Sequence, residues 1–169
     1  MATFFGTPFS YNDMKHLLLL LALAVLPAGS LLAQTPKPSD EFTPVLNHVA
    51  VYVKDLKKAT AFYEEVLNLK QIPEPFKDGL HTWFTMGAAG QLHLIQGQAG
   101  EITRNKNEHL CFSVPSVDRF IGRLDRFGIA YTNWPGTEKA PTVRVDGVKQ
   151  IYFQDPDGHW VEINDDYRK

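Results

Sequence analysis

Four side chains carry the chemistry open to this sequence: His48, His93, His109 and Glu162. Three imidazoles and a carboxylate form a donor set for one divalent ion such as Zn, Ni, Fe, Mn or Co. A six-coordinate ion held this way keeps positions for water or substrate. It is then a Lewis acid that polarises a carbonyl and stabilises an enediolate or alkoxide. The four belong together because they fall at matching points of a repeat. HVAVYV at 48–53 and HLCFSV at 109–114 both open on His and alternate, 61 positions apart. WFTMGAAGQLHLI and YFQDPDGHWVEI align at an offset of 69, which sets His93 against Glu162. The second copy of a duplicated module therefore carries about eight extra residues in its middle.

Strand alternation gives the four a common direction. Val49, Val51 and Val53 oppose His48, Ala50 and Tyr52, while Leu110, Phe112 and Val114 oppose His109, Cys111 and Ser113. In the same way Leu92 and Leu94 oppose His93, and Val161 and Ile163 oppose Glu162. Helices over the aliphatic faces would leave all four candidates on the concave side of a curved sheet, where they can converge. Two amphipathic stripes predict those helices: Leu56, Ala59, Tyr63, Val66 and Val117, Phe120, Leu124, Phe127. Asp55 and Ser116 cap them, the first helix ends near Leu67 with Asn68 as its stop, and the second stops at Gly128. Further strands are expected at 81–86, 91–96, 149–154 and 160–164, the last two joined by the DPDG turn. Residues 72–79 and 133–147 read as loops, and the second holds the extra residues and with them the specificity.

Around this centre Phe76, Trp83 and Trp134 would form a pocket wall, with His81 beside Trp83 and Tyr52 on the His48 face. Arg104 or Arg144 could meet an anionic group, although surface solvation is the ordinary state of such side chains. Cys111 shares a face with His109 but reads as a small buried hydrophobe. His159, in the DPDG turn, reads as solvated. Glu162 would serve both as a ligand and as the catalytic carboxylate that moves a proton.

Residues 1–33 read as a signal peptide with an N-terminal extension. Lys15 and His16 precede ten apolar residues, Leu17 to Leu26, and Ala33 offers a small residue for cleavage. That run is shorter than the roughly 20 residues a spanning helix needs, so no stable membrane anchor is expected after cleavage. The product would be exported, periplasmic or secreted. Residues 34–44 are a Pro-rich flexible leader, and 45–167 form one domain of two modules, about 45–97 and 107–167. A net charge of −2 provides no basic field for nucleic acid. Cys111 is the only cysteine, so no internal disulfide can form.

The segments HVAVYVKDLKKATAFYEEVLNL, LHLI, HLCFSV and DPDGHWVEI resemble the signatures of the vicinal oxygen chelate superfamily, which includes glyoxalase I, fosfomycin-resistance proteins, extradiol dioxygenases and bleomycin-binding proteins. The resemblance covers nearly all of 45–165 and is closest to the glyoxalase I-like single-domain members. It implies an α+β fold of paired βαβββ modules forming a cupped, barrel-like mixed sheet with helices on the outside, and a homodimer that shares sites. It also implies that His48, His93, His109 and Glu162 are the metal ligands, with His93 standing where glyoxalase I usually has Glu or Gln. Bacterial glyoxalase I tends to carry Arg and Asn for glutathione where this chain has Tyr52 and Gly97. The function expected is an exported, metal-dependent enzyme of lyase or isomerase type, acting on a small oxygenated substrate that chelates the metal. The alternatives are an iron-dependent dioxygenase, a fosfomycin-modifying enzyme and a metal-free binding or resistance protein.

Overall fold

A computed structural model describes residues 43–167. The expected signal peptide and nearly all of the leader lie outside the described residues. The first module runs β1 (His48–Val53), α1 (Leu56–Ala61), β2 (Lys70–Ile72), β3 (His81–Thr85) and β4 (Gln91–Gln96). The second runs β5 (His109–Ser113), α2 (Val117–Arg126), β6 (Thr142–Val143), β7 (Lys149–Gln154) and β8 (Trp160–Asn164). Each module makes one four-stranded mixed sheet, in the orders β1-β4-β3-β2 and β5-β8-β7-β6. In both, the first strand runs parallel to the last and the other neighbours are antiparallel. This is the expected α+β duplication, but hydrogen bonding leaves two separate sheets and no closed barrel.

The predicted caps are in place, Asp55 accepting from the Lys58 amide and Ser116 from the Arg119 amide. The first helix differs from an even α-helix. After Ala61 it widens into a π-helical turn, Phe62–Val66, before Asn68 stops it at a left-handed φ of 58°. Arg123 of α2 satisfies the carbonyls this turn exposes, donating to Val66 O at 2.7 Å and to Glu65 O. The short strands β2 and β6 fall in segments the sequence reads as a helix-end boundary and a loop. With three and two residues they have no alternation to detect.

Both aliphatic faces and both helices share one core, in which Phe62 of the π-helical turn and Phe120 of α2 each lie against Phe153 of β7, at 6.2 and 6.0 Å between centroids. Val53, Phe84, Leu92, Leu94, Ile151, Val161 and Ile163 are fully buried there. A polar knot ties the modules together beside this core. Asp155, whose side chain is wholly buried, accepts from Tyr63 Oη at 3.0 Å and His159 Nδ1 at 2.8 Å, and also from the amides of Asp157 and His159 at 2.9 and 2.8 Å. His159 is therefore an internal strut rather than a solvated turn residue. Deleting one buried acceptor strands several donors, so Asp155→Ala should destabilise the fold by about 3 kcal/mol and Tyr63→Phe by about 1 kcal/mol, read as urea midpoints. Equal midpoints for Asp155→Ala and the wild type would remove the knot's structural role.

Candidate metal and substrate site

Because the aliphatic faces turn to the shared core, the faces bearing the candidate ligands turn away from it. Parallel pairing of β1 with β4 sets His93 opposite Ala50, and His48, two residues earlier on the same face, stacks its ring on His93 at 4.2 Å and 11°. Parallel pairing of β5 with β8 does the same for His109 and Glu162, with Nε2 3.2 Å from Oε2. A single copy thus brings the four together two by two. Among the described residues no three of His, Cys, Asp and Glu gather closely enough to hold an ion.

The duplication extends to the neighbour of each last-strand ligand. Antiparallel register sets Trp83 opposite His93 and Tyr152 opposite Glu162. Trp83 stacks on His93 at 3.9 Å and 2°, so that His93 is sandwiched between Trp83 and His48. Burial, then the neighbouring His48 and His81, hold its pKa below the ordinary value, which favours the neutral ring a metal ligand must have. Tyr152, 2 % exposed, donates to Glu162 Oε2 at 2.6 Å, while Asn164 Nδ2 and Cys111 Sγ reach Oε1 at 2.9 and 3.3 Å. Burial alone would raise the Glu162 carboxyl. The bonds from Tyr152, Asn164 and Cys111 and the His109 ring outweigh it and hold the pKa below normal. Tyr152 and Asn164 are candidate-site positions the sequence reading missed. The signal for both lay in the turn: once DPDG sets the hairpin register, Tyr152 faces Glu162, and Asn164 follows two residues later on the same side of the strand.

Ring-nitrogen geometry tests the donor set. His109 Nδ1 lies 2.7 Å from the Lys106 carbonyl, which can only accept, so Nδ1 carries a proton. A neutral His109 then presents a lone pair at Nε2 to the carboxylate oxygen 3.2 Å away, an arrangement that a cation between them turns from repulsion into coordination. His48 repeats this, with Nδ1 engaged at 2.8 Å by Asn47 Oδ1, an oxygen acceptor, and Nε2 left over. His48, His109 and Glu162 fit the group they would hold, whereas His93 Nε2 lies 2.8 Å from Gln91 Oε1 and would have to leave that partner to bind an ion through this nitrogen.

The expected pocket residues divide between the halves. Phe76 (59 % exposed), His81 and Trp83 extend the first, with Phe76 4.6 Å from His81 and edge-on to Trp83 at 6.1 Å. Tyr52 is half-exposed on the same strand face as His48, and its hydroxyl lies where a Cβ on Gly97 would come within 2.5 Å. The two departures from the glutathione-serving pattern are therefore one matched pair, since Gly97 makes the room Tyr52 occupies. In the second half Trp134 meets Tyr152 edge-on at 5.3 Å. Arg144 is paired with Asp146, and its charge reaches Glu162, Cys111 and Tyr152. Arg104 bonds to Gln98 and lines a cavity of about 340 Å³ with His109 and Trp160. Cys111 corrects its expectation: it is exposed, because it sits on the outward face of edge strand β5. Partial burial and then Glu162 push its thiol up to about 12, so it stays protonated and donates to the carboxylate.

A depressed folded pKa means that Glu162 adds stability above the ordinary carboxylate value of 4.5 and loses it as pH falls through the folded value. The stability deficit of Glu162→Gln, measured by urea unfolding, should therefore narrow as pH is lowered from 7 toward 3. A deficit independent of pH would contradict the caged carboxylate.

With this geometry in hand, the profile of the Glyoxalase/Bleomycin resistance protein/Dioxygenase superfamily matches residues 45–163. The chain is 32 % identical over 123 residues to the metallothiol transferase FosB of Shouchella clausii, covering 70 % of this chain and 78 % of that protein. It is 27 % identical over 151 residues to the lactoylglutathione lyase of Pseudomonas aeruginosa, covering 70 % of this chain and 81 % of that enzyme. The crystal structure of the fosfomycin resistance protein FosX of Listeria monocytogenes superposes with a TM-score of 0.56 at 28 % identity, over 73 % of this chain and 94 % of that one. The duplicated βαβββ modules and the match along both of them make this chain a member of the Glyoxalase/Bleomycin resistance protein/Dioxygenase superfamily.

Proposed function

We propose that the protein is a metal-dependent enzyme of the glyoxalase type, a lyase or isomerase acting on a small substrate that offers two neighbouring oxygens to the ion. The observation that carries this reading is the His109–Glu162 pair, with Nδ1 of the histidine committed to a carbonyl and Nε2 aimed at a carboxylate oxygen. A divalent ion held by His48, His93, His109 and Glu162 supplies Lewis acidity toward the substrate oxygens. Glu162 enters as the unprotonated carboxylate and is a weak base, so it draws a proton only from a carbon already acidified by the neighbouring oxygens. Tyr152, whose pKa burial and Glu162 raise, stays protonated and steers Oε2. Trp83, Phe76 and Trp134 wall the substrate in. The Tyr52–Gly97 pair replaces the usual glutathione-serving residues, which supports a substrate other than a glutathione adduct. Export follows as part of the proposal from Lys15, the apolar run Leu17 to Leu26 and Ala33.

Since one copy joins the ligands only in pairs, we assign the complete centre to a homodimer, in which His48 and His93 of one copy meet His109 and Glu162 of another. The test uses two dead variants, His48→Ala/His93→Ala and His109→Ala/Glu162→Ala. Elemental analysis should find neither loaded with metal alone. After unfolding and refolding together, roughly a quarter of the sites should fill, because half the dimers are mixed and each mixed dimer has one intact centre. No recovery on mixing would place the centre within one chain, and full metal content in either variant would remove the centre altogether.

The FosB and FosX relatives support a second reading, addition of a thiol or water to fosfomycin by the same centre. Expression in a fosfomycin-sensitive host would then raise its tolerance, and Glu162→Gln would abolish the gain. Unchanged tolerance with the metal-loaded protein would leave the lyase or isomerase reading.

A further inference from the structure

Lys106, Arg104 and Arg123 are partly buried cations without a carboxylate partner among the described residues. Arg104 bonds to Gln98 and Arg123 to the Glu65 and Val66 carbonyls, and Lys106 is the one that lies over the Tyr152 and Trp160 rings. Lys54, Lys139, Lys149 and Arg144 each have a carboxylate partner, with Glu101, Asp125, Asp118 and Asp146. Among the described residues no carboxylate lies within ion-pair distance of Lys106. Its ammonium donates to the carbonyls of Asn133 and Trp134 at 3.3 and 3.0 Å, and lies 4.7 Å from the ring centre of Trp160 and 5.5 Å from that of Tyr152. Burial lowers its pKa, and no neighbouring acid offsets that effect. An ammonium has three donors, and two weakly held carbonyls and two ring faces leave positive charge to spare.

That charge stands against the second half of the site. The His109 ring meets the same Tyr152 ring edge-on at 5.6 Å, and the hydroxyl of that ring bonds to Glu162. The carbonyl of Lys106 also holds His109 Nδ1, so one residue aims a candidate ligand and sets a cation next to it. The carbonyls it grips belong to the 133–147 segment, where the second module carries its extra residues. Arg144 is the cation whose field reaches Glu162, and Asp146 already neutralises it.

We propose that Lys106 is a specificity-determining residue that binds an oxyanion group of the substrate, a carboxylate or phosphate set beside the oxygens offered to the metal. This deepens the function proposed above and rests on it. Such a substrate carries two neighbouring oxygens at one end and a negative charge at the other. A charge-assisted bond in a partly dry site then separates it from its neutral analogue by about tenfold in affinity.

Dihydroxyacetone phosphate and dihydroxyacetone form a matched pair of probes, differing only in the phosphate. The purified protein is loaded with cobalt, and binding of each probe is followed by visible absorption and calorimetry in the wild type, Lys106→Met and Lys106→Arg. The wild type should prefer the phosphorylated probe. Lys106→Met should lose about tenfold of that affinity with cobalt content and dihydroxyacetone binding unchanged, and Lys106→Arg should keep the preference. Loss of both probes together in Lys106→Met would make Lys106 a loop clamp and overturn the subsite. So would equal affinity of the wild type for the two probes, or an unchanged preference in Lys106→Met. A wild type that takes up no cobalt would overturn the metal reading, and this subsite with it.

Discussion

The constraint on which the rest depends is the shared apolar core. Val53, Leu92, Leu94 and Phe84 from one sheet and Ile151, Phe153, Val161 and Ile163 from the other are buried with both helices in one cluster. A strand cannot turn one set of side chains inward without turning the alternate set outward. Burying the valines and leucines therefore presents His48, His93, His109 and Glu162 on faces directed away from that core. The site is a consequence of the packing.

Parallel pairing of the first and last strand in each module then converts exposure into proximity. It makes His48 and His93 neighbours, and His109 and Glu162, while the antiparallel hairpins bring Trp83 and Tyr152 across from the last-strand ligands. The same architecture is used with opposite chemistry. In the first half, rings stack on a histidine kept neutral by burial and by its histidine neighbours. In the second, three donors and an imidazole surround a carboxylate kept charged. Together the two halves offer a mixed set of nitrogen and oxygen donors.

Two features beside the candidate ligands have a physical meaning, the paired departure at Tyr52 and Gly97 and the placement of Lys106. Tyr52 and Gly97 exclude larger combinations through one close approach, since a Cβ at Gly97 would sit within 2.5 Å of the Tyr52 hydroxyl. Lys106 combines two tasks through its two ends, the carbonyl fixing a histidine tautomer and the ammonium bracing the extra loop of the second module. Tyr52 shares a strand face with His48, and Lys106 holds His109, so both features lie beside candidate ligands.

Much of this was legible in the chain itself, because alternation, capping and duplication are local patterns. His48 and His109 begin strands, Asp55 and Ser116 cap helices, and the DPDG turn fixes the pairing of β7 with β8. The strands β2 and β6 were not legible, being too short for a period, and neither was the π-helical turn that Arg123 closes from the other module. Cys111 was misread because its neighbours are apolar, whereas its exposure follows from β5 lying at a sheet edge. The sequence by itself determined the longer strands and helices, the repeat and the candidate ligands, all read from side chains a few positions apart. Only the tertiary structure decided that the candidate ligands meet in pairs, that Tyr152 and Asn164 cage Glu162, and that Lys106 lies over the Tyr152 and Trp160 rings. Those relations join residues distant along the chain, and only packing brings such residues into contact.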